Sequence, residues 1–158
     1  ARLRTASVAA VVSSDLTRAI QTARSVFPAR APLGDPAWRE MHFGQWEGLT
    51  HAEITTRFPD AEATWRADRY GTRVPGGETG AEMLARARHA ADRLADAQSG
   101  GTVAVVSHGG PIALLRCAAA GLDARRFHET MPGPGELIEI RWPPSARVRR
   151  ASGAEART

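Results

Sequence analysis

Two short, continuously apolar runs most constrain what this chain can fold into. Residues 8–13 (VAAVVS) and 102–107 (TVAVVS) have the length and composition of strands buried on both faces of a sheet. Each run ends in polar residues that precede a helical pattern. Strands that alternate with helices predict an α/β fold, here a three-layer α/β/α sandwich with a mostly parallel central sheet.

Local signals place the remaining elements. Thr50 with Glu53, and Thr79 with Glu82, have the spacing of capping boxes and predict a helix after each pair. Ser14 and Asp15 are suitable N-cap residues for a helix that follows the first apolar run. Proline and glycine after the second run predict another helix, which starts near residue 111 and ends near residue 120. The alternating segment 136–142 (ELIEIRW) predicts a half-exposed edge strand.

Length and composition restrict the function classes. With 158 residues the chain suits one domain, which we place at 1–142, followed by a basic tail at 143–158. All 21 basic residues are arginines scattered along the sequence, and the net charge is only +4, so we expect no nucleic-acid partner. No apolar run approaches the roughly 18 residues that span a bilayer. We expect a cytoplasmic protein without a membrane partner, and the oligomeric state stays open between a monomer and a homodimer.

The single cysteine, Cys117, excludes an intrachain disulfide and a thiolate metal cluster. It lies among leucines and alanines, so we expect a buried thiol that acts as a small hydrophobic side chain. No group of His, Asp and Glu residues has metal-site spacing, and no Walker-type loop is present. We therefore predict no metal and no cofactor.

Each apolar run is followed by residues suited to binding an anion, because helix N-termini at the carboxyl ends of parallel strands favour negative charge. Arg18 falls in the first helical turn after the first run, where a guanidinium can bind two phosphate oxygens or simply be solvated. His108 ends the second run, and Gly109 bares a backbone amide beside it. That histidine can contact a phosphate and shuttle a proton, or it can be a capping residue.

The loop at 33–48 contains Glu40 close to Phe43 and Trp46. A carboxyl group walled by aromatic rings can have a raised pKa and act as a general acid, although a solvated surface glutamate has the same local pattern. The other four histidines have weaker claims to a functional role; they are His42, His51, His89 and His128.

Four segments occur together in an order typical of one family. They are SSDLTRAIQTA (13–23), REMHFGQWEGLT (39–50), PGGET (75–79) and VVSHGGPI (105–112). The chain from residue 8 to residue 142 thereby resembles the histidine phosphatase superfamily, which has the phosphoglycerate mutase-like fold. PGGET resembles the phosphatase branch, including α-ribazole-phosphate phosphatases and broad-specificity phosphatases.

The resemblance implies roles for individual residues. Arg18 matches the family's second phosphate-binding arginine, and Glu40 matches the proton donor to the leaving alcohol. His108 matches the second histidine, which holds the transferring phosphoryl group with Gly109 alongside. The resemblance also implies a small phosphorylated metabolite as substrate, a phosphohistidine intermediate and no metal.

One departure from the family pattern is large. The family's nucleophilic histidine lies in an Arg-His-Gly tripeptide after the first strand, and none of the 158 residues forms that tripeptide. We expect the first strand to be missing as well, which would leave unpaired strand edges in the core. A fragment of a longer protein is the explanation that we favour, because residues 1–4 have the character of a helix end. A genuine short protein and completion of the sheet by another chain are the alternatives.

The predicted function is hydrolysis of small phosphomonoesters by the intact protein, with the 158-residue chain itself inactive. Glu40 and His108 are 68 positions apart (108 − 40), which resembles the phosphatases rather than mutases with a long insertion. Mutase-type phosphoryl transfer and a non-catalytic protein that binds phosphorylated ligands are the alternatives. Specificity is expected from the segment between Thr50 and Thr79, whose aromatic and arginine side chains either line a pocket or cover a helix face.

Overall fold

A computed structural model describes residues 7–143. The predictions for the first four residues and for the basic tail beyond residue 143 lie outside this range. Three strands and five helices are found in it: β1 (Ala10–Ser13), α1 (Thr17–Val26), β2 (Leu33–Gly34), α2 (His51–Arg57), α3 (Pro59–Ala67), α4 (Gly80–Ala97), β3 (Val103–Val106) and α5 (Gly109–Ala120). Short 3-10 helices span Pro36–Trp38, Gly44–Trp46 and Ala124–Thr130.

The three strands form a parallel sheet in the order β2-β1-β3. In the central pair, Ala10 lies opposite Val103 and Ser13 lies opposite Val106. A missing first strand was expected to leave unpaired strand edges in the core. No such edges lie between these three strands, because neighbours pair directly. The other edge of β3 has no backbone partner within residues 7–143.

Helices cover both faces of the sheet, which confirms the predicted three-layer sandwich. Alternate residues of a strand point to opposite faces, and Val11 accordingly packs with Ala23 and Phe27 of the α1 layer. Val12 packs on the other face, with Trp38 and with the alanine-rich side of α4. A third cluster lies between α4, α5 and the loop at 33–48, which we call the aromatic loop. It contains Met41, Trp46, Val74, Met83, Leu114 and Phe127.

Most local signals are confirmed. Both capping boxes are formed, and they open α2 and α4 as predicted. Gly121 ends α5 with a φ of 66°, a left-handed conformation that favours glycine. Cys117 is 1% exposed and unpaired, as expected of a packing residue.

Two structural predictions are wrong. The segment 136–142 forms no strand, because its backbone pairs with no other strand among the described residues. Side chains such as Ile140 and Trp142 pack against the hydrophobic core. The N-cap of α1 is Leu16, which has no side-chain cap, rather than Ser14 or Asp15. Those two polar side chains instead bind other parts of the molecule, at the site described next.

Candidate active site

The polar ends of β1 and β3 lie side by side. Because the strands are parallel and in register, the residues that follow Ser13 and Val106 leave the same edge of the sheet. This edge places Ser14 next to His108, which is the N-cap residue of α5. Two separate apolar runs thus bring two polar turns to one edge of the sheet, where open α/β sheets bind their ligands.

His108 is held by a buried serine. Its Nε2 atom lies 2.9 Å from Oγ of Ser14, whose side chain is fully buried. That oxygen also accepts a hydrogen bond from the backbone N–H of Leu16 at 3.3 Å. A hydroxyl carries one donor and two acceptor sites, so Ser14 can donate to Nε2 or accept from it, according to the tautomer of His108. In both cases the contact occupies Nε2 and leaves Nδ1 for another partner.

Burial lowers the pKa of His108 below its ordinary value of 6.5. The positive charge of Arg18 lowers this pKa further, the carboxylate of Glu40 opposes the effect, and Arg86 adds to the lowering. These interactions place Arg18 and Glu40 within electrostatic reach of His108. The structure therefore brings the three side chains together that the sequence singled out separately.

Arg18 presents an uncommitted cation at this edge. It lies in the first turn of α1, is exposed, and has no carboxylate partner among residues 7–143. The neighbouring Arg39 is different, since it forms a bidentate pair with Asp15 through bonds of 2.7 and 2.6 Å. Arg18 is thus the guanidinium left available for an anion.

Glu40 reaches the N-terminus of α5. Its Oε2 atom accepts a hydrogen bond from the backbone N–H of Gly110 at 3.3 Å, and Oε1 accepts one from Met41 at 2.9 Å. The carboxyl group of Glu40 therefore contacts the first turn of α5, the helix that begins directly after His108.

Glycine at position 110 permits this approach. A Cβ atom there would come 2.9 Å from Cε of Met83 and closer still to Oε1 of Glu40, inside the 3.0 Å that real Cβ atoms keep. At Gly109 the nearest atom to a Cβ would be the terminal carbon of Met131, at 2.6 Å. The two glycines of the SHGG motif thus have different neighbours, a packed carboxylate and an exposed methionine.

Sequence reasoning missed several residues that hold the site. Neither Ser14 nor the Asp15–Arg39 pair was assigned such a role. The Glu78–Arg86 ion pair beneath the Glu40 loop was also missed, although Glu78 is part of the quoted PGGET segment. Ser14 and Asp15 were interpreted as N-cap residues. Only contacts with distant parts of the chain reveal what their side chains bind.

The remaining histidines lie at exposed positions; they are His42, His51, His89 and His128. The arginines at the end of α3 and in the segment that follows it bind other side chains at the surface. Arg66 pairs with Glu62 at 2.5 Å, Arg73 with Glu82, and Arg69 stacks over Trp65 at 5.1 Å from the ring centroid. These contacts favour the helix-face interpretation of this segment.

A cavity of about 300 Å³ lies beside the aromatic loop and is lined by Phe43, Trp46 and Ile54, among others, but by neither Arg18 nor His108. No three His, Cys, Asp or Glu side chains of residues 7–143 are grouped as metal ligands. Within that range no helix has both the length and the hydropathy to cross a membrane.

Comparison with curated proteins finds phosphatases. The chain is 39% identical over 146 residues to the glucosyl-3-phosphoglycerate phosphatase of Mycobacterium tuberculosis (strain ATCC 25618 / H37Rv), covering 84% of this chain and 61% of that protein. It is 43% identical over 114 residues to the Bifunctional protein Rv2228c of the same strain, covering 71% of this chain and 31% of that one. The chain thus spans about three tenths to six tenths of the length of these relatives.

Solved structures show the same fold. The α-ribazole phosphatase from Shigella flexneri superposes with a TM-score of 0.77 at 25% identity, over 90% of this chain and 76% of that one. YhfR from Bacillus stearothermophilus gives 0.74 at 30% identity, over 80% and 63%. The family model of the histidine phosphatase superfamily (branch 1) matches residues 1–152. This chain therefore belongs to the histidine phosphatase superfamily, branch 1.

Proposed function

We propose that the protein hydrolyses small phosphomonoesters through a phosphohistidine intermediate, and that Arg18, Glu40 and His108 form part of its active site. The observation that carries this proposal is a half-buried imidazole at a helix N-terminus, with a carboxylate bound to the same helix turn and an uncommitted guanidinium within electrostatic reach. Two relatives named as phosphatases of phosphorylated metabolites support the reaction class.

The roles follow from the chemistry of each group. Phosphoryl transfer is catalysed chiefly by positioning and by balancing charge on the transferring oxygens. Arg18 supplies positive charge and two parallel N–H donors, and the backbone N–H of Gly109 adds a donor at the start of α5. His108 directs its Nδ1 proton to a phosphoryl oxygen, because Ser14 occupies Nε2.

Glu40 acts on the leaving group. An alcohol leaves as an alkoxide unless it is protonated, and a carboxylic acid within hydrogen-bonding reach supplies that proton. The contact of Glu40 with the first turn of α5 supports a role next to the phosphoryl site rather than within it. After the alcohol departs, the same carboxylate can accept a proton from the attacking water.

The nucleophile is the part of the mechanism that these 158 residues do not contain, since no Arg-His-Gly tripeptide occurs in them. His42 is a poor substitute because its backbone is fastened in the Glu40 loop and its side chain is exposed. We infer that this chain alone binds phosphate or vanadate without turnover. We further infer that a complete protein, by which we mean these residues joined to a strand that carries Arg-His-Gly, turns over.

The test compares these two proteins. Calorimetry should detect vanadate binding by the 158-residue chain and its loss in Arg18→Ala, whereas p-nitrophenyl phosphate hydrolysis and an acid-labile phosphoenzyme should appear only with the complete product. Hydrolysis by the 158-residue chain would refute the phosphohistidine assignment. Vanadate binding without hydrolysis by the complete product would establish a binding protein instead, and phosphoryl exchange between phosphoglycerates would establish a mutase.

A further inference from the structure

A half-buried ion pair lies beneath the loop that carries Glu40. Arg86, on α4, donates from Nε to Oε2 of Glu78 at 3.1 Å and from Nη2 to Oε1 at 2.6 Å. The two side chains are only 24% and 17% exposed. Such a bidentate pair has a fixed geometry and is weakly screened by solvent, which distinguishes it from an ordinary surface pair.

The same guanidinium also binds the backbone of the loop. Nη1 of Arg86 donates to the carbonyl oxygen of Ala37 at 2.9 Å, and Nη2 donates to the carbonyl oxygen of Glu40 at 3.0 Å. The side chain thus makes four hydrogen bonds, two of them to main-chain oxygens. One of these oxygens belongs to the proposed proton donor itself.

Glu78 holds the loop on the C-terminal side of Glu40. Its Oε1 atom accepts a hydrogen bond from the backbone N–H of His42 at 2.9 Å, and its own backbone N–H donates to the carbonyl oxygen of His42 at 3.0 Å. The loop is therefore fastened at residue 40 and at residue 42. Glu40 has little freedom to move its backbone while this arrangement persists.

We propose that Arg86 and Glu78 are positioning residues that hold the Glu40 carboxyl group at the N-terminus of α5. This inference rests on the proposed function, in which Glu40 protonates the leaving alcohol. Neither residue donates a hydrogen bond to His108 or to the Glu40 carboxyl group. Apart from the charge of Arg86, which acts on His108, their effect is transmitted through the loop backbone. A displacement of about 1 Å in a catalytic group can cost about 100-fold in rate.

The leaving group separates positioning from general stability. Proton donation matters for a basic leaving group such as an alkyl alcohol and little for p-nitrophenolate. In the complete protein, we expect Arg86→Lys and Glu78→Gln to lower kcat/KM for glycerol 2-phosphate by at least about 10-fold and kcat/KM for p-nitrophenyl phosphate by less than about 3-fold, because kcat/KM reports phosphoenzyme formation and not the later attack of water. Adding either substitution to Glu40→Gln should cause little further loss.

A matched control lies on the same helix. Arg93 pairs with Asp35 at 2.9 Å and joins α4 to the start of the same loop, but its side chain is 49% exposed and it bonds a side chain rather than the loop backbone. Arg93→Ala should leave both substrates unaffected. Equal losses on the two substrates in Arg86→Lys and Glu78→Gln, or no loss on either, would overturn the positioning role.

Amide exchange tests the same idea without turnover. The N–H of Gly110 is bonded to the Glu40 carboxylate, so in the 158-residue chain its exchange should accelerate in Arg86→Lys and Glu78→Gln and stay unchanged in Arg93→Ala. Unchanged exchange in the first two variants would refute the proposal. If Glu40→Gln lowers the rate equally for both substrates, the proton-donor role fails instead. The exchange result still decides whether the Arg86–Glu78 pair holds the loop. Should Arg86→Lys not fold, Glu78→Gln gives the same readouts.

Discussion

Gly110→Ala tests how closely α5 packs against Glu40 and the core. The added methyl group would lie 2.9 Å from Cε and 3.2 Å from Sδ of Met83, and it would also overlap the Glu40 carboxylate. Met83 is 1% exposed, so it has little room to withdraw. The substitution therefore overpacks a core position and displaces a hydrogen-bonded carboxylate at once.

The opposing contributions can be ranked. Replacing glycine by alanine within a helix favours folding by about 1 kcal/mol. Overpacking typically costs about 1–3 kcal/mol, and loss of a hydrogen bond to a charged group costs about 1.5–3 kcal/mol. The bond at 3.3 Å is long, which places its contribution at the low end. We therefore expect a net loss of about 1–4 kcal/mol in the free energy of unfolding.

Urea unfolding of the 158-residue chain measures this loss. With a slope of about 2 kcal/mol per molar urea, the midpoint should fall by roughly 0.5–2 M. Gly109→Ala is the matched control, because its methyl group meets only the flexible end of Met131, which is 47% exposed. It should change the unfolding free energy by less than about 1 kcal/mol. A Gly110→Ala protein as stable as the original would refute the close packing of Glu40 on this helix.

Three further predictions concern charge and core packing. Arg18→Gln should raise the pKa of His108 and Glu40→Gln should lower it, because their charges act on this imidazole in opposite directions; NMR titration measures both shifts, and shifts of the same sign would contradict the site. Burial lowers the pKa of His108 in the folded state, so the unfolded chain binds a proton first as the pH falls. The free energy of unfolding should therefore decrease as the pH drops through 6.5 towards the lowered pKa. Urea titrations at several pH values should show a smaller decrease in His108→Gln. Leu114→Ala, at a fully buried position, should lower the free energy of unfolding by about 2–5 kcal/mol in the same urea assay, and a loss below about 1 kcal/mol would contradict the packing between α4 and α5.

Local signals predicted the elements well where the physics is local. A capping box acts within four residues, and both boxes form as predicted. The segment 136–142 shows the limit of such reasoning. Alternation makes a strand suitable for a sheet, but a strand exists only when a neighbouring backbone completes its hydrogen bonds, and the sequence does not state which neighbour is adjacent.

The candidate site divides in the same way. Arg18, Glu40 and His108 were identified from motif order, and the structure brings them together. The residues that hold them escaped notice, since Ser14 fits a helix cap and Arg86 fits an ordinary helix surface. Their partners lie 94 positions away in the case of Ser14 and His108, and 46 positions away in the case of Arg86 and Glu40.

The sequence by itself thus determined the family, the parallel α/β architecture and the helix boundaries set by capping residues, and it singled out the three residues proposed for the chemistry. Only the tertiary structure decided which carboxylate meets which helix N-terminus, which histidine nitrogen remains available, and what holds the Glu40 loop. The reason is physical. Propensity and capping arise within a single turn of the chain, whereas the orientation of a side chain in a site depends on contacts that form only when distant segments pack against one another.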